Sequence, residues 1–173
     1  MPGEFAAFNR NPTTINICGN VFLIPYRPAA AWALDLHRLH VLAARLADDN
    51  TREELADLVI AMPAAAVELH RESLRLLADA TGWRWWEAAR LLSSSGAPAL
   101  TGRLTLAGVD PWAVSVGQWC AATYSILAEN KDEKDRLKLD FQLSIPPPGF
   151  EDEWDDDADD PEQIAAAMAK MMG

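Results

Sequence analysis

Apolar residues recur along most of this chain at the three- and four-residue spacing that is typical of amphipathic helices. The pattern predicts helices at about 29–46, 51–61, 64–81, 83–92 and 131–143. A further helix is predicted to begin at Asp110-Pro111, because Asp is a favoured N-cap and proline suits the first helical position. A second start at Ser115 leads into a stripe that we expect to be buried, formed by Val116, Trp119, Cys120, Thr123 and Leu127.

Capping residues set the expected limits of two helices. Thr51 and Glu54 have the spacing of a capping box at the start of the second helix. Gly82 stands where a left-handed residue usually ends a helix. The helix before it is expected to bury one stripe of residues: Val67, His70, Leu74, Leu77 and Thr81.

The segment after the fourth helix carries turn-forming residues. The serines and glycine of 93–96 are expected to end that helix, and 97–109 is interpreted as a loop that could contain an extended stretch at Leu104–Leu106. The charged helix at 131–143 is expected to turn Leu137 and Phe141 inward.

Two runs near the N-terminus predict a small β-hairpin. Thr14–Cys18 and Val21–Ile24 are rich in β-branched and aromatic residues, and Gly19-Asn20 between them can adopt the positive φ of a two-residue turn. The predicted fold class is therefore mainly α. We expect a compact helical domain of about five to seven helices, with a small N-terminal β-hairpin and a disordered acidic C-terminal tail.

Composition divides the chain into three parts: a flexible lead (1–13), a helical domain with the hairpin (14–149) and an acidic linker followed by a short Met/Ala-rich helix (150–173). The net charge of the chain is −11. Residues 151–173 contribute −8 of it, from nine acidic side chains and one Lys, whereas residues 1–150 carry 17 acidic and 14 basic side chains. Self-repulsion predicts that the acidic run is disordered.

This charge balance argues against two classes of partner. Nucleic acid and anionic membranes both require Lys and Arg concentrated on one surface. No apolar run approaches the roughly 18 residues that cross a bilayer, and Met1–Phe5 does not begin a signal peptide. A cytoplasmic location is therefore expected.

The residues that could carry chemistry are few. His37 and His40 have a spacing that can bind a metal, but no further ligands accompany them at a suitable spacing, so exposed or half-buried histidines are expected. Cys18 and Cys120 lack a neighbouring base, and Cys120 lies on a predicted buried stripe. We expect no catalytic residue, no metal and no cofactor.

Seven tryptophans are many for 173 residues, and indole rings often anchor interfaces. Trp83 and Trp86 would share a face of the fourth helix, while Trp85 points elsewhere. The methionines of the C-terminal segment could also bind, because methionine side chains adapt to varied partner surfaces. The candidate partner-binding residues are therefore Trp83, Trp85, Trp86, Trp112, Met168, Met171 and Met172.

The order of several motifs resembles one family. A short hairpin leads into Pro-Tyr-Arg-Pro-Ala-Ala-Ala-Trp at 25–32, and the later motifs are Thr-Gly-Trp-Arg-Trp-Trp at 81–86, Gly-Val-Asp-Pro at 108–111, Trp-Cys-Ala-Ala-Thr-Tyr at 119–124 and Pro-Pro-Pro-Gly at 146–149. Over about Ile15–Gly149 the chain resembles the tail assembly chaperones of long-tailed, siphovirus-type bacteriophages of actinobacteria.

The resemblance implies a non-enzymatic helical protein in the host cytoplasm. It would bind the tape measure protein and keep it soluble while the tail tube assembles, with the tail tube protein and a frameshifted longer form of itself as further partners. One alternative is a structural virion component, such as a minor tail or head–tail joining protein. Another is an enzyme or small regulator, for which a metal at His37 and His40 would be the best evidence.

Overall fold

The computed structural model describes residues 12–151. Its strands are β1 (Thr13–Ile17) and β2 (Asn20–Ile24), and its helices are α1 (Ala29–Asp35), α2 (Leu42–Leu46), α3 (Asp49–Ala61), α4 (Ala64–Thr81), α5 (Trp85–Ser95), α6 (Pro98–Leu106), α7 (Val116–Ala128) and α8 (Glu133–Ser144). A short 3-10 helix, Leu36–Val41, joins α1 to α2. The mainly helical class with an N-terminal hairpin is confirmed. Counted with α1 and α2 as one interrupted helix, the described residues form seven helices.

The hairpin turn lies one residue earlier than predicted. Ile17 pairs with Asn20, so the two turn residues are Cys18 and Gly19 rather than Gly19 and Asn20. Both have positive φ, at 52° and 80°, as a type I′ turn requires. Glu68 of α4 fixes this turn, because its carboxylate accepts the backbone N–H of Cys18.

The predicted first helix is interrupted in its middle. Arg38 has non-helical angles (φ −119°, ψ 41°), which separate α1 from α2. The restart leaves N–H groups at the beginning of α2 without helical acceptors. Buried Ser73 of α4 supplies one acceptor, since its Oγ binds the N–H of Ala43 at 3.0 Å and donates to the carbonyl of Leu69 at 2.7 Å.

The limits of α3 and α4 were partly predicted. Asp48, and not Thr51, is the cap of α3: its Oδ1 accepts the N–H of Thr51 at 2.9 Å, so the predicted capping box at Thr51 is wrong. Gly82 has φ 70° and follows the end of α4, as predicted. Val67 was expected on the buried stripe of this helix but is exposed, whereas Leu74, Leu77 and Thr81 of that stripe are buried.

The fourth predicted helix begins and ends later than expected. α5 starts at Trp85 rather than Trp83, because the Glu87 carboxylate accepts the backbone N–H of Arg84 at 3.1 Å and marks the start there. The serines of 93–95 form its last turn instead of ending it. Ser95 is buried and donates to the carbonyl of Leu92 at 2.6 Å.

The predicted loop at 97–109 is wrong, because Pro98–Leu106 is helix α6. Pro98 occupies the first helical turn, where its missing N–H is no loss. Leu100 and Leu104, four residues apart, are both buried. The hydroxyl of Thr101 donates to the carbonyl of Ser95 at 2.6 Å and ties the start of α6 to the end of α5.

The segment at Asp110-Pro111 begins a single turn, and not the predicted helix. The turn closes through the N–H groups of Ala113 and Val114, which both donate to the carbonyl of Asp110. Helix α7 begins after the second predicted start, Ser115. Ser115 and Gln118 cap it reciprocally, each side chain accepting the other residue's backbone N–H, at 3.2 and 2.9 Å.

The chain forms two compact units, which divide between Leu127 and Ala128. The first contains the hairpin and α1 to α6 with nearly all of α7, and the second contains α8. Asp132 caps α8, which begins at Glu133, since its Oδ1 accepts the N–H of Asp135 at 2.8 Å. Leu137 was expected to point inward but is exposed.

Several predicted features lie beyond these elements. Residues 1–11 of the lead, the acidic run from 152 onward and the Met/Ala-rich segment lie outside the described residues. Thr13, assigned to the lead, begins β1. Among residues 12–151, no helix has the length and apolar character that a membrane span needs.

Candidate functional site

The junction of α3 and α4 carries an exposed run of apolar residues, Ile60–Val67, which we call the apolar corner. Its sequence, Ile-Ala-Met-Pro-Ala-Ala-Ala-Val, has no polar side chain. Ile60 is 81% exposed, and Met62 and Val67 are also exposed. Ala65 alone is buried, and it anchors the run. An uninterrupted apolar run whose large side chains are uncovered is typical of surfaces that bind another protein.

The backbone of the corner is held by its own hydrogen bonds. The N–H of Met62 donates to the carbonyl of Leu58 at 2.8 Å and closes α3, and the carbonyl of Met62 accepts the N–H of Ala65 at 2.9 Å at the start of α4. Pro63 fixes the chain between them. A partner would therefore meet a preformed surface and lose little free energy in ordering it.

Acidic side chains lead along α3 toward the corner. Glu53 and Asp57 are exposed and stand seven and three positions before Ile60, which places all three on one helix face. On α4, Val67 and Arg71 are exposed one turn apart. The corner is thus flanked by negative charge on the α3 side and by a positive residue on the α4 side.

Trp112 is the exposed tryptophan of the described residues, with 65% of its surface accessible. It lies in the turn after Asp110, whose Oδ1 accepts the Trp112 N–H at 2.9 Å. The carbonyls of Pro111 and Val114 accept the N–H groups of Ala30 and Ala29, at 2.9 and 3.0 Å. The turn therefore presents an exposed indole from a hydrogen-bonded backbone, and tryptophan is enriched among the residues that dominate binding energy.

The other three candidate tryptophans are covered to different degrees. Trp86 is 4% exposed and belongs to the interior, and the ring of half-buried Trp85 stands perpendicular to it, with centroids 5.6 Å apart. Trp83 lies outside α5, so helical spacing does not relate it to Trp86. Its ring is half-buried, 5.3 Å from that of Tyr124. Partner contacts at these positions stay a prediction.

Met168, Met171 and Met172, the remaining candidates, lie outside the described residues.

Neither cysteine forms a disulfide. Burial raises the pKa of the fully enclosed Cys120 thiol. Burial and the neighbouring Glu68 carboxylate raise the pKa of Cys18. Both groups therefore favour the thiol over the nucleophilic thiolate at neutral pH.

His37 and His40 are exposed on the 3-10 helix. Within residues 12–151, no group of three or more His, Cys, Asp and Glu side chains could hold a metal ion. A pocket beside Arg27 and Trp32 has a volume of about 30 Å³. That is room for water but not for a metabolite.

Known proteins give no further guide. The chain matches no family model, no curated protein and no solved structure.

The helical spacing of the sequence does not reveal the apolar corner. Its signal is the eight-residue run without a polar side chain, but Pro63 splits that run between two predicted helices. Val67 was then assigned to the interior by helical spacing, although the buried positions of α4 around it are Ala65 and Leu69.

Proposed function

We propose that this protein is a non-enzymatic assembly chaperone of a long-tailed bacteriophage, which binds the tape measure protein in the host cytoplasm and keeps it soluble during tail tube assembly. The motif order between Ile15 and Gly149 supports the proposal through its resemblance to that family. The observation that carries it in this molecule is the apolar corner.

The corner suits a helical client. A long chain that forms coiled coils exposes apolar stripes before assembly, and an amphipathic helix binds by laying its apolar face on an apolar surface. The short side chains of the alanines would let a client helix approach the backbone of the corner closely. Ile60 and Val67 would supply contact area. The net charge of −8 on residues 151–173 would keep the complex in solution.

Co-expression with helical fragments of the tape measure protein tests the proposal. The wild-type chain is expected to hold such a fragment in the soluble fraction and to co-purify with it. Ile60→Ser with Val67→Ser should abolish co-purification, because two exposed apolar contacts are lost while the fold keeps its interior. The matched control is Leu34→Ser on α1, which changes an apolar residue whose exposure of 66% lies between those of Ile60 and Val67, and it should bind normally.

Two results would contradict the proposal. If the wild-type chain retains no fragment, the proposed chaperone function is wrong. If the corner variant binds as well as the control, the corner is not the binding surface. Mass spectrometry of purified particles separates the structural alternative, since abundant peptides from this chain in the finished virion would identify it as a component.

A further inference from the structure

The two edges of the hairpin differ in whether side chains from the rest of the molecule bond to their backbone groups. Asn16 and Thr14 form non-hydrogen-bonded pairs with Val21 and Leu23, because the pair that closes the turn, Ile17 with Asn20, is hydrogen-bonded and the two kinds of pair alternate. The backbone groups of 14 and 16 therefore point away from β2, toward the outer edge of β1.

Side chains of α4 close that outer edge of β1. Glu72 accepts the N–H of Asn16 at 3.2 Å, and Arg75 donates to the carbonyl of Thr14 at 3.0 Å. Arg75 and Glu72 also form an ion pair at 2.7 Å, which holds both side chains in place. Together with the bond from Cys18 to Glu68, these contacts replace the hydrogen bonds that a third strand would make.

The outer edge of β2 has no such cover. By the same alternation, the N–H and carbonyl groups of Val21 and Leu23 point away from β1. Within residues 12–151 no hydrogen bond to these groups is found outside the strand pair. Their side chains are also uncovered, with Val21 69% and Leu23 55% exposed. An open edge with apolar side chains is a template for another strand.

We propose that two copies of this chain pair antiparallel through β2, forming a four-stranded sheet across a two-fold axis at Phe22. This register places Val21 of each copy opposite Leu23 of the other, and each such pair exchanges two backbone hydrogen bonds. It uses every outward-facing backbone group of the strand. It also sets the exposed valine against the exposed leucine, which is a favourable apolar cross-strand pair.

Charge permits a second copy at this edge. Each chain carries −11, so two copies repel each other overall. No charged residue lies between Arg10 and Arg27, so β2 can approach its own copy without bringing like charges opposite. A five-residue strand gives a small interface, and the dimer is therefore weak, reversible and strengthened by salt, which screens the remaining repulsion.

Sedimentation velocity of the full chain from about 1 µM to about 1 mM, the range of weak affinities, tests the dimer. The wild type is expected to pass from monomer to dimer. Leu23→Pro removes one outward N–H and should weaken association by roughly tenfold or more, while an edge position tolerates proline within the fold. Leu23→Thr, which keeps the N–H and the β-propensity, is the matched control and should still dimerise.

A charge exchange tests the pairing of β2 with its copy. Chains with Val21→Lys and Leu23→Lys, or with Val21→Glu and Leu23→Glu, should each be monomeric, because like charges then face each other. An equimolar mixture should form a heterodimer, since Lys would then face Glu. Amide exchange at Val21 and Leu23 should slow with wild-type concentration, while exchange at Asn16, already bonded to Glu72, should not change.

The proposal fails if the wild type stays monomeric throughout the concentration range, or if Leu23→Pro dimerises as the wild type does. A mixture of charge variants that remains monomeric would overturn the pairing through β2. These readouts use no client, so they are independent of the outcome of the tape measure experiment.

Discussion

Trp119 of α7 donates a hydrogen bond from its indole Nε1 to the hydroxyl oxygen of Ser95, the last residue of α5, at 2.9 Å. Both residues are buried. Ser95→Ala would leave the indole N–H without an acceptor in the interior, and we expect it to lower the free energy of unfolding by about 1–3 kcal/mol. Urea unfolding followed by circular dichroism measures the change. Ser93→Ala on the exposed side of the same turn should stay within about 0.5 kcal/mol of the wild type; equal stability of the two variants would contradict the role of Ser95.

Thr123 gives a prediction of the opposite sign. It is buried, and among residues 12–151 its hydroxyl oxygen has no hydrogen-bond partner. Thr123→Val replaces that hydroxyl by a methyl group of similar size, so we expect stability to rise by about 1 kcal/mol. Thr105→Val, at an exposed position of α6 where the hydroxyl only donates back to Thr101, is the control and should be nearly neutral. A loss of stability in Thr123→Val would count against an unsatisfied hydroxyl.

Two glycines are expected to respond oppositely to alanine. Gly82 has φ 70°, which strains any side chain, so Gly82→Ala should destabilise the chain by about 1 kcal/mol. Gly102 lies within α6 with open space around the position of a Cβ. Gly102→Ala should therefore stabilise it by about 0.5–1 kcal/mol. Thermal unfolding of both variants and the wild type measures the effect. Unfolding temperatures that shift in the same direction for both variants would contradict the prediction.

The link between Glu72 and the hairpin should depend on pH. The hydrogen bond from Arg75 lowers the pKa of Glu72 below its ordinary value of 4.5, and the Asn16 N–H adds to this. A lowered folded-state pKa contributes stability that is fully present above pH 4.5 and is lost as the pH falls through the folded pKa. The stability difference between wild type and Glu72→Gln should thus be constant above about pH 5.5 and shrink in acid. Urea unfolding across this range measures it, and a pH-independent difference would exclude the mechanism.

The thiols should differ in accessibility. Cys120 is completely buried and Cys18 is partly exposed, and the raised pKa of each slows its reaction. Iodoacetamide at pH 8 is expected to alkylate Cys18 slowly in the native chain and to reach Cys120 only after unfolding in guanidinium. Peptide mass spectrometry identifies the modified residue. Rapid native labelling of Cys120 would mean that α7 opens readily.

Local chemistry accounts for the features that the sequence predicted well. Gly82 at the end of α4 and the helix start at Ser115 depend on residues within one helical turn, so neighbouring residues are sufficient to identify them. Likewise Val116, Trp119, Cys120 and Thr123 recur at a spacing that buries one face of α7, although Leu127 of the predicted stripe is only half-buried. The hairpin was found for the same reason, although its turn was displaced by one residue.

The errors arise where distant residues decide. Residues 97–109 look like a loop because Gly102 and Pro98 are poor helix formers, yet burial of Leu100 and Leu104 stabilises α6. The first predicted helix breaks at Arg38 and restarts as α2, where the Ala43 N–H finds its acceptor on another helix, at Ser73 of α4. The exposure of Ile60–Val67 is likewise a tertiary property, since an apolar run alone does not reveal which neighbours cover it.

The hydrogen bonds from Ala29 and Ala30 to the carbonyls of Val114 and Pro111 determine when α1 can be completed during synthesis. Pro28 precedes α1 and provides no side-chain cap, so a seven-residue helix depends on acceptors roughly 80 positions later along the chain. Until residues 111–114 have left the ribosome, the first N–H groups of α1 lack these acceptors and the helix is incomplete. Truncation before the Trp112 turn should therefore yield fragments in which residues 29–35 are digested rapidly by proteases, even though every residue of that helix is present.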